Sequence, residues 1–246
     1  MIEVQDVSKV YSGSSREPIQ ALAGVSFTAR PGRVFGLLGP NGAGKTTTLR
    51  IISTVLRPTR GQVKVCGLDT VTEAAAVRHS LGFLSGSTGL YERLTPSEVI
   101  DYFGRLHGIE PRALARRRDE LFSLLEVHAF ADRLCGTLST GQKQKITIAR
   151  ALIHDPPVLV FDEPTTGLDV LVARHVLEAV EALRSEKRTI IFSTHILSEV
   201  ERLCDDVAIV HKGSLLRCGT KDEVRGQAKT IEEAFFAVVR AEGAAP

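Results

Sequence analysis

Val34-Phe35-Gly36-Leu37-Leu38-Gly39-Pro40-Asn41-Gly42-Ala43-Gly44-Lys45-Thr46 decides the fold of this 246-residue chain. It opens on a brief apolar run and passes at once into glycines, and from Thr46 to Leu56 apolar residues recur at helical spacing. The stretch therefore reads as strand, tight loop, helix. Within it, Gly39 to Thr46 fits Gly-x4-Gly-Lys-Ser/Thr without a gap. The glycines let backbone N–H groups close around a phosphate, and the helix starting near Lys45 points its positive end at the same anion. Lys45 is then placed to reach the β- and γ-phosphates of a nucleotide, and the Thr46 hydroxyl to meet Mg²⁺.

Outward from this loop, short strand-like runs alternate with helical ones. Glu3–Val10, Ala21–Ala29, Gln62–Cys66, Leu81–Leu84, Val158–Phe161, Thr189–Phe192 and Val207–Val210 read as strands. Val170–Arg184, Leu197–Leu203 and Ile231–Arg240 read as helices. Such alternation implies a mostly parallel sheet covered on both faces. From Pro96 to about Ala131 the pattern is helical and rich in charge. The helical block, about 90–155, is expected as a subdomain inserted in the α/β core of a single domain, 1–246. A flexible loop is expected at Ser12-Gly13-Ser14-Ser15, and fraying over Gly243–Pro246.

Two further stretches carry chemistry. Val158-Leu159-Val160-Phe161-Asp162-Glu163 is an apolar run ending in adjacent acids, which a buried strand tolerates when something cationic meets them. Asp162 then anchors Mg²⁺ through a water, and Glu163 polarises a water facing the γ-phosphate. The alternative is a strand that runs into a solvated acidic turn. Leu138-Ser139-Thr140-Gly141-Gln142 opens a helix that continues to about Ile153, and a Ser and a Gly at a helix N-terminus make an anion site or an ordinary N-cap. Guanine recognition by an NKxD motif is excluded outright, because the only Asn is Asn41.

Composition narrows the class. Hydrophobic residues are 43% and charged residues 24%, which excludes disordered and fibrous chains. The net charge of +2 lacks the basic excess of a nucleic-acid binder. Apolar runs such as Ala234–Val239 fall far short of the roughly 20 residues a spanning helix needs. The start, Met1-Ile2-Glu3-Val4, carries no secretory signal. Cys66, Cys135, Cys204 and Cys218 show neither CxxC nor metal-ligand spacing and read as reduced cytosolic thiols.

Taken together, the motifs resemble those of the ATP-binding subunits of ABC transporters. Leu138 to Gln142 is similar to that family's LSGGQ signature, with Thr140 in place of the first Gly, and the resemblance spans residues 2–240 with motifs in the family's order. It implies an α/β fold: a P-loop NTPase (RecA-like) core, an N-terminal antiparallel β subdomain and an α-helical signature subdomain. It implies ATP and Mg²⁺ as ligands. Gly39, Pro40, Asn41, Gly42, Ala43, Gly44, Lys45, Thr46 and Thr47 bind ATP, Tyr11 stacks on adenine, Thr46 and Asp162 serve Mg²⁺, and Lys45, Glu163 and His195 carry catalysis. Ser139, Thr140, Gly141 and Gln142 act in trans on a second subunit's ATP, and Asp169 belongs to the D-loop that meets that subunit.

The implied partners are a second copy, as a homodimer, and an integral membrane permease, on the cytoplasmic face of the membrane. Leu81-Gly82-Phe83-Leu84, Gly89-Leu90-Tyr91 and Leu203 to Val210 look like the export subgroup that includes sodium- and drug-efflux subunits. A soluble relative, such as a cluster-assembly ATPase, is the alternative. One departure stands out: where the family has a glutamine after the strand at Leu84, this chain has Ser85-Gly86-Ser87-Thr88, and no Gln lies between Gln62 and Gln142. The surface from Ser85 to Leu106 is expected to dock the permease, with Leu90 and Tyr91 exposed.

Overall fold

The computed structural model describes residues 1–13, 16–85 and 89–243. Ser14 and Ser15 of the expected loop, Ala244–Pro246 of the expected frayed end, and Gly86, Ser87 and Thr88 of the expected glutamine position lie outside them.

The chain begins with β1 (Ile2–Gly13) and β2 (Arg16–Ala29), then β3 (Val34–Leu38) and α1 (Lys45–Ile52). Next come β4 (Arg60–Val65), β5 (Leu68–Asp69), α2 (Ala74–His79) and β6 (Leu81–Ser85). The helical block holds α3 (Pro96–Leu106), α4 (Pro111–Leu124) and α5 (Thr140–Leu152). Alternation returns with β7 (Val158–Asp162), α6 (Val170–Ala182), β8 (Thr189–Thr194), α7 (Leu197–Leu203) and β9 (Asp206–His211). The chain closes with β10 (Ser214–Thr220), α8 (Lys221–Arg225) and α9 (Ile231–Gly243).

Two compact units result. One holds Met1–Leu81, Pro157–Glu163 and the chain from Arg184 on; the other holds Gly82–Pro156 and Pro164–Leu183. In the first unit an antiparallel sheet runs in the order β2-β1-β4-β5, with Ile2 opposite both Ala29 and Val65. Its second sheet runs β10-β9-β3-β8-β7, parallel except for the β9–β10 hairpin. The mixed architecture with one antiparallel and one mostly parallel sheet is the one expected. Phe35, Phe161 and Phe192 on neighbouring parallel strands are almost wholly buried. Phe27 of β2 stacks on Phe35 with ring centroids 4.8 Å apart, which ties the two sheets together through apolar burial.

Several boundaries differ from the sequence reading for local reasons. The helix expected to reach Leu56 ends at Ile52, because Ser53 caps it and Thr54 turns to φ 62°. The block from Pro96 is interrupted where Gly108 adopts φ 75° and Pro111 opens a new helix. α3 starts on a capping box, Thr95 with Glu98, and has Pro at its first turn. Among the described residues the sequence reading lacked β5, α2, β10, α8 and a 3-10 turn at Cys135–Thr137. β5, α2 and α8 are too short to show a period, and the strand β10 is interrupted by a bulge between Leu215 and Arg217. Tyr91 is exposed as expected, whereas Leu90 is half-buried.

Candidate functional site

β3 delivers the chain to the loop, and Gly44 turns it into α1 with φ 107°. A Cβ on Gly44 would come within 2.7 Å of Leu22 Cδ2 and 2.8 Å of the Ala21 carbonyl, so only glycine fits. No side chain caps α1 and no acid sits in its first turn. Its first amides are therefore left for an anion, and the helix dipole favours one there. The cleft over this loop is lined by Ala21, Asn41 to Thr47 and Glu163.

Lys45 is 4% exposed. Its Nζ donates to the carbonyls of Gly39 at 2.7 Å and Pro40 at 3.1 Å and lies 3.0 Å from Glu163 Oε1. The other carboxylate oxygen of Glu163 is 3.3 Å from His195 Nδ1. One carboxylate thus bridges the loop lysine and the histidine at the end of β8. Glu163 holds the left-handed conformation at φ 48°, a strain of about 1–3 kcal/mol that persists only where the surroundings enforce it. Its N–H is shared between the Oγ and the carbonyl of Ser193, at 3.0 and 3.2 Å, which anchors the backbone at this point.

Asp162 and Ser193 face each other in the β7–β8 register. Ser193 Oγ donates to Asp162 Oδ1 at 2.8 Å, and Thr46 Oγ1 donates to the same oxygen at 3.1 Å. The sequence reading missed Ser193 as a site residue. Its signal was only its place beside His195, since the strand register that brings it to Asp162 is not a local pattern. Thr194 Oγ1 donates to the buried Glu199 at 2.6 Å and accepts from Ile196 N–H, which shapes the turn carrying the exposed His195.

Thr46 and Asp162 offer only oxygen donors, which suits Mg²⁺. Among the described residues no group of three His, Cys, Asp or Glu could hold a metal alone. An ion held by these two oxygens would take phosphate oxygens and water for the rest of its shell, and when bound it would neutralise developing phosphate charge. Burial pushes the Asp162 carboxyl up, against the pull of the Ser193 and Thr46 hydroxyls. The protonated acid thus contributes stability below about pH 3.9, the unfolded value, and this is lost as pH rises through the higher folded value. At neutral pH the ionised carboxylate is a cost that a cation relieves. Asp162→Asn is therefore expected to raise the melting temperature of the metal-free chain at pH 7 by a few degrees while collapsing Mg²⁺-dependent turnover. Calorimetry at pH 7 and near pH 4 checks it: the gain shrinks at the lower pH, and a lower melting temperature at pH 7 contradicts the argument.

Tyr11, on β1, is 39% exposed; its hydroxyl is 3.4 Å from Thr47 Oγ1 and Lys9 Nζ lies 5.4 Å from the ring centroid. The remaining sequence-derived site residues lie in the other unit. Ser139 caps α5: its Oγ accepts from Gln142 N–H at 3.3 Å, while Gln142 Oε1 accepts from Ser139 N–H at 3.0 Å. Ser139 and Thr140 are exposed. A Cβ on Gly141 would sit 2.7 Å from Val172 Cγ1, so the glycine lets α5 and α6 approach. Asp169 caps α6, accepting from Leu171 and Val172 N–H at 3.0 Å each.

A phosphate-binding loop, an acidic strand end and a histidine at the neighbouring strand end define a P-loop NTPase. The family model described as ABC transporter matches residues 22–166. The chain is 41% identical over 225 residues to the ABC transporter ATP-binding protein NatA of Bacillus subtilis, covering 91% of each. It is 38% identical over 208 residues to the daunorubicin resistance ATP-binding protein DrrA3 of Streptomyces coeruleorubidus, covering 85% of this chain and 66% of that one. The dimeric ATP-binding cassette MJ0796, solved in a post-hydrolysis state with ADP and Pi, superposes with a TM-score of 0.81 at 27% identity, over 89% of this chain and 98% of that one. This chain belongs to the ABC transporter family, as an ATP-binding and ATP-hydrolysing subunit.

Proposed function

We infer that the chain powers export through a separate membrane permease, on the cytoplasmic face of the membrane, by pairing with a second copy around Mg-ATP. The observation that carries the reading is the Glu163 carboxylate held between Lys45 and His195. Lys45 moves from the loop carbonyls to the β- and γ-phosphates, Thr46 and Asp162 serve Mg²⁺, and Glu163 orients the attacking water. His195 holds the γ-phosphate, and Tyr11 stacks on adenine. The exposed Ser139 and Thr140, with Gly141 and Gln142, cap the second copy's nucleotide. Val170 and Leu171, beside Asp169, are 84% and 70% exposed, apolar surface that a second copy covers.

The drug-resistance name of the relative DrrA3 supports a drug as cargo, and the resemblance to the export subgroup keeps Na⁺ as the other candidate. No helix among the described residues is long and apolar enough to cross a membrane, so the pathway is assigned to the permease. The test is reconstitution with that permease in vesicles: ATP drives solute out, and the solute carried raises the ATPase rate. ATPase indifferent to the permease and to every solute contradicts the reading.

Permease docking is assigned to the surface that carries Tyr91, Tyr102 and Leu106, which are 53%, 46% and 62% exposed. Tyr91 and Tyr102 pack edge to face at 6.1 Å, and a helix from the permease would lay its apolar side on them. Tyr91→Ala is expected to weaken co-purification with the permease about tenfold, the scale of one interface aromatic, with basal ATPase within twofold of wild type. Unchanged assembly and transport would place docking elsewhere.

A further inference from the structure

The back of the P-loop rests on a hairpin that the nucleotide chemistry does not use. β9 and β10 join through Lys212 and Gly213, both at positive φ, 46° and 82°, with His211 paired to Ser214. That is the backbone of a two-residue hairpin turn matched to strand twist. Gly213 is buried, and its N–H donates to the carbonyl of Ala43, inside the P-loop, at 3.0 Å. Its own carbonyl accepts from Ala23 N–H at 2.9 Å. A Cβ on Gly213 would lie 2.8 Å from the Ala21 carbonyl, and one on Gly39 would lie 2.2 Å from the Val210 carbonyl. The loop is therefore seated on the end of β9 and on the turn, with no room for slack.

The same turn is tied to the end of the chain. His211, the last residue of β9, presents Nδ1–H to Glu242 Oε2 at 2.7 Å. The two side chains are 17% and 34% exposed, so the bond is partly shielded from water. Glu242 lies in the last turn of α9, a helix that packs on α7, α8 and β10. A contact only two residues from Gly213 thus links the C-terminal helix to the loop amides.

We propose that the His211–Gly213 turn positions the P-loop for ATP and that α9, through Glu242, fixes that turn, which makes His211 and Glu242 positioning residues. The device matters because the loop binds phosphate with backbone amides, whose directions are set by whatever holds the backbone. Loosening the turn costs ground state and transition state alike, so affinity falls while the chemical step does not. The proposal rests on the reading of Gly39–Thr46 as the ATP site.

Steady-state ATPase and titration with a fluorescent ATP analogue, on the purified full chain, test it. Glu242→Ala and His211→Ala are each expected to raise the KM for ATP about three- to tenfold with kcat within twofold, the scale of one net hydrogen bond. The double variant is no worse than either single one, because both remove the same contact. Glu242→Gln, whose amide oxygen still accepts from Nδ1–H, keeps KM near wild type. Glu233→Ala is the control: Glu233 accepts from Lys229 N–H at 2.8 Å and steadies the start of α9, so its loss lowers the melting temperature without moving KM. Wild-type KM in both alanine variants overturns the proposal, as does an equal KM shift in Glu233→Ala. Lys45→Ala run in parallel separates the two failures: if it abolishes binding while Glu242→Ala does not, only the positioning role falls; if it binds normally, the ATP site falls with it.

Discussion

Lys45→Ala abolishes turnover and weakens ATP binding at least tenfold. The ammonium is nearly sealed from water and held by two loop carbonyls and Glu163, so its charge is screened little and is pre-aimed at the cleft. A charge-assisted hydrogen bond of this kind is worth about 1.5–3 kcal/mol, or roughly ten- to a hundredfold in binding at about 1.4 kcal/mol per decade. The loss in rate is larger, because charge on the transferring phosphoryl group grows towards the transition state. Circular dichroism checks folding, analogue titration checks binding, and phosphate release checks rate. Near-normal steady-state hydrolysis in a folded variant would remove the P-loop from the mechanism.

Glu163→Gln separates binding from chemistry. The amide keeps the size of the carboxylate, one oxygen that still accepts from Lys45 Nζ, and the N–H that donates to Ser193. What it loses is the negative charge that polarises a water. General-base assistance is worth about 10²–10⁴-fold, so turnover is expected to fall by about a thousandfold. Affinity for ATP holds or rises, since one negative charge facing the phosphates is gone. With hydrolysis stopped, ATP is retained and two copies stay paired, so size-exclusion chromatography with Mg-ATP is expected to show a dimer that disappears when nucleotide is withdrawn. Wild-type turnover would displace Glu163 from the role of base. A monomer at saturating ATP would count against nucleotide-driven pairing of the chain alone.

Much of this site was legible before any coordinates. The turn from Gly39 to Gly44 depends on glycines a few residues apart, and the helix after Lys45 on the spacing that follows it. An apolar run ending in Asp162 and Glu163 predicts a buried strand with its acids at one sheet edge. Ser139 reads as an N-cap from sequence, and the structure shows the capping box it forms with Gln142. Asp169, given a D-loop role by resemblance, is also an ordinary N-cap whose carboxylate holds the first amides of α6. These features are local, and local backbone preference is what short sequence patterns encode.

Other features answer to partners far along the chain. Ser193 steers both Asp162 and Glu163, yet it stands 31 residues from the first of them and meets it only because β7 and β8 lie side by side in register. The left-handed conformation of Glu163 looks unfavourable in isolation, and its N–H is anchored on that same serine. Gly213 was not singled out as a turn from sequence, and its bond to Ala43 exists only once β9 is laid beside β3. The glycine-rich loop, the acidic strand end and the family were readable from the chain alone, because each is carried by runs of neighbours with their own backbone geometry. The tertiary structure alone decided which side chains converge on the loop, because parallel strands are brought together by long crossovers and buried area, and no local period records their order.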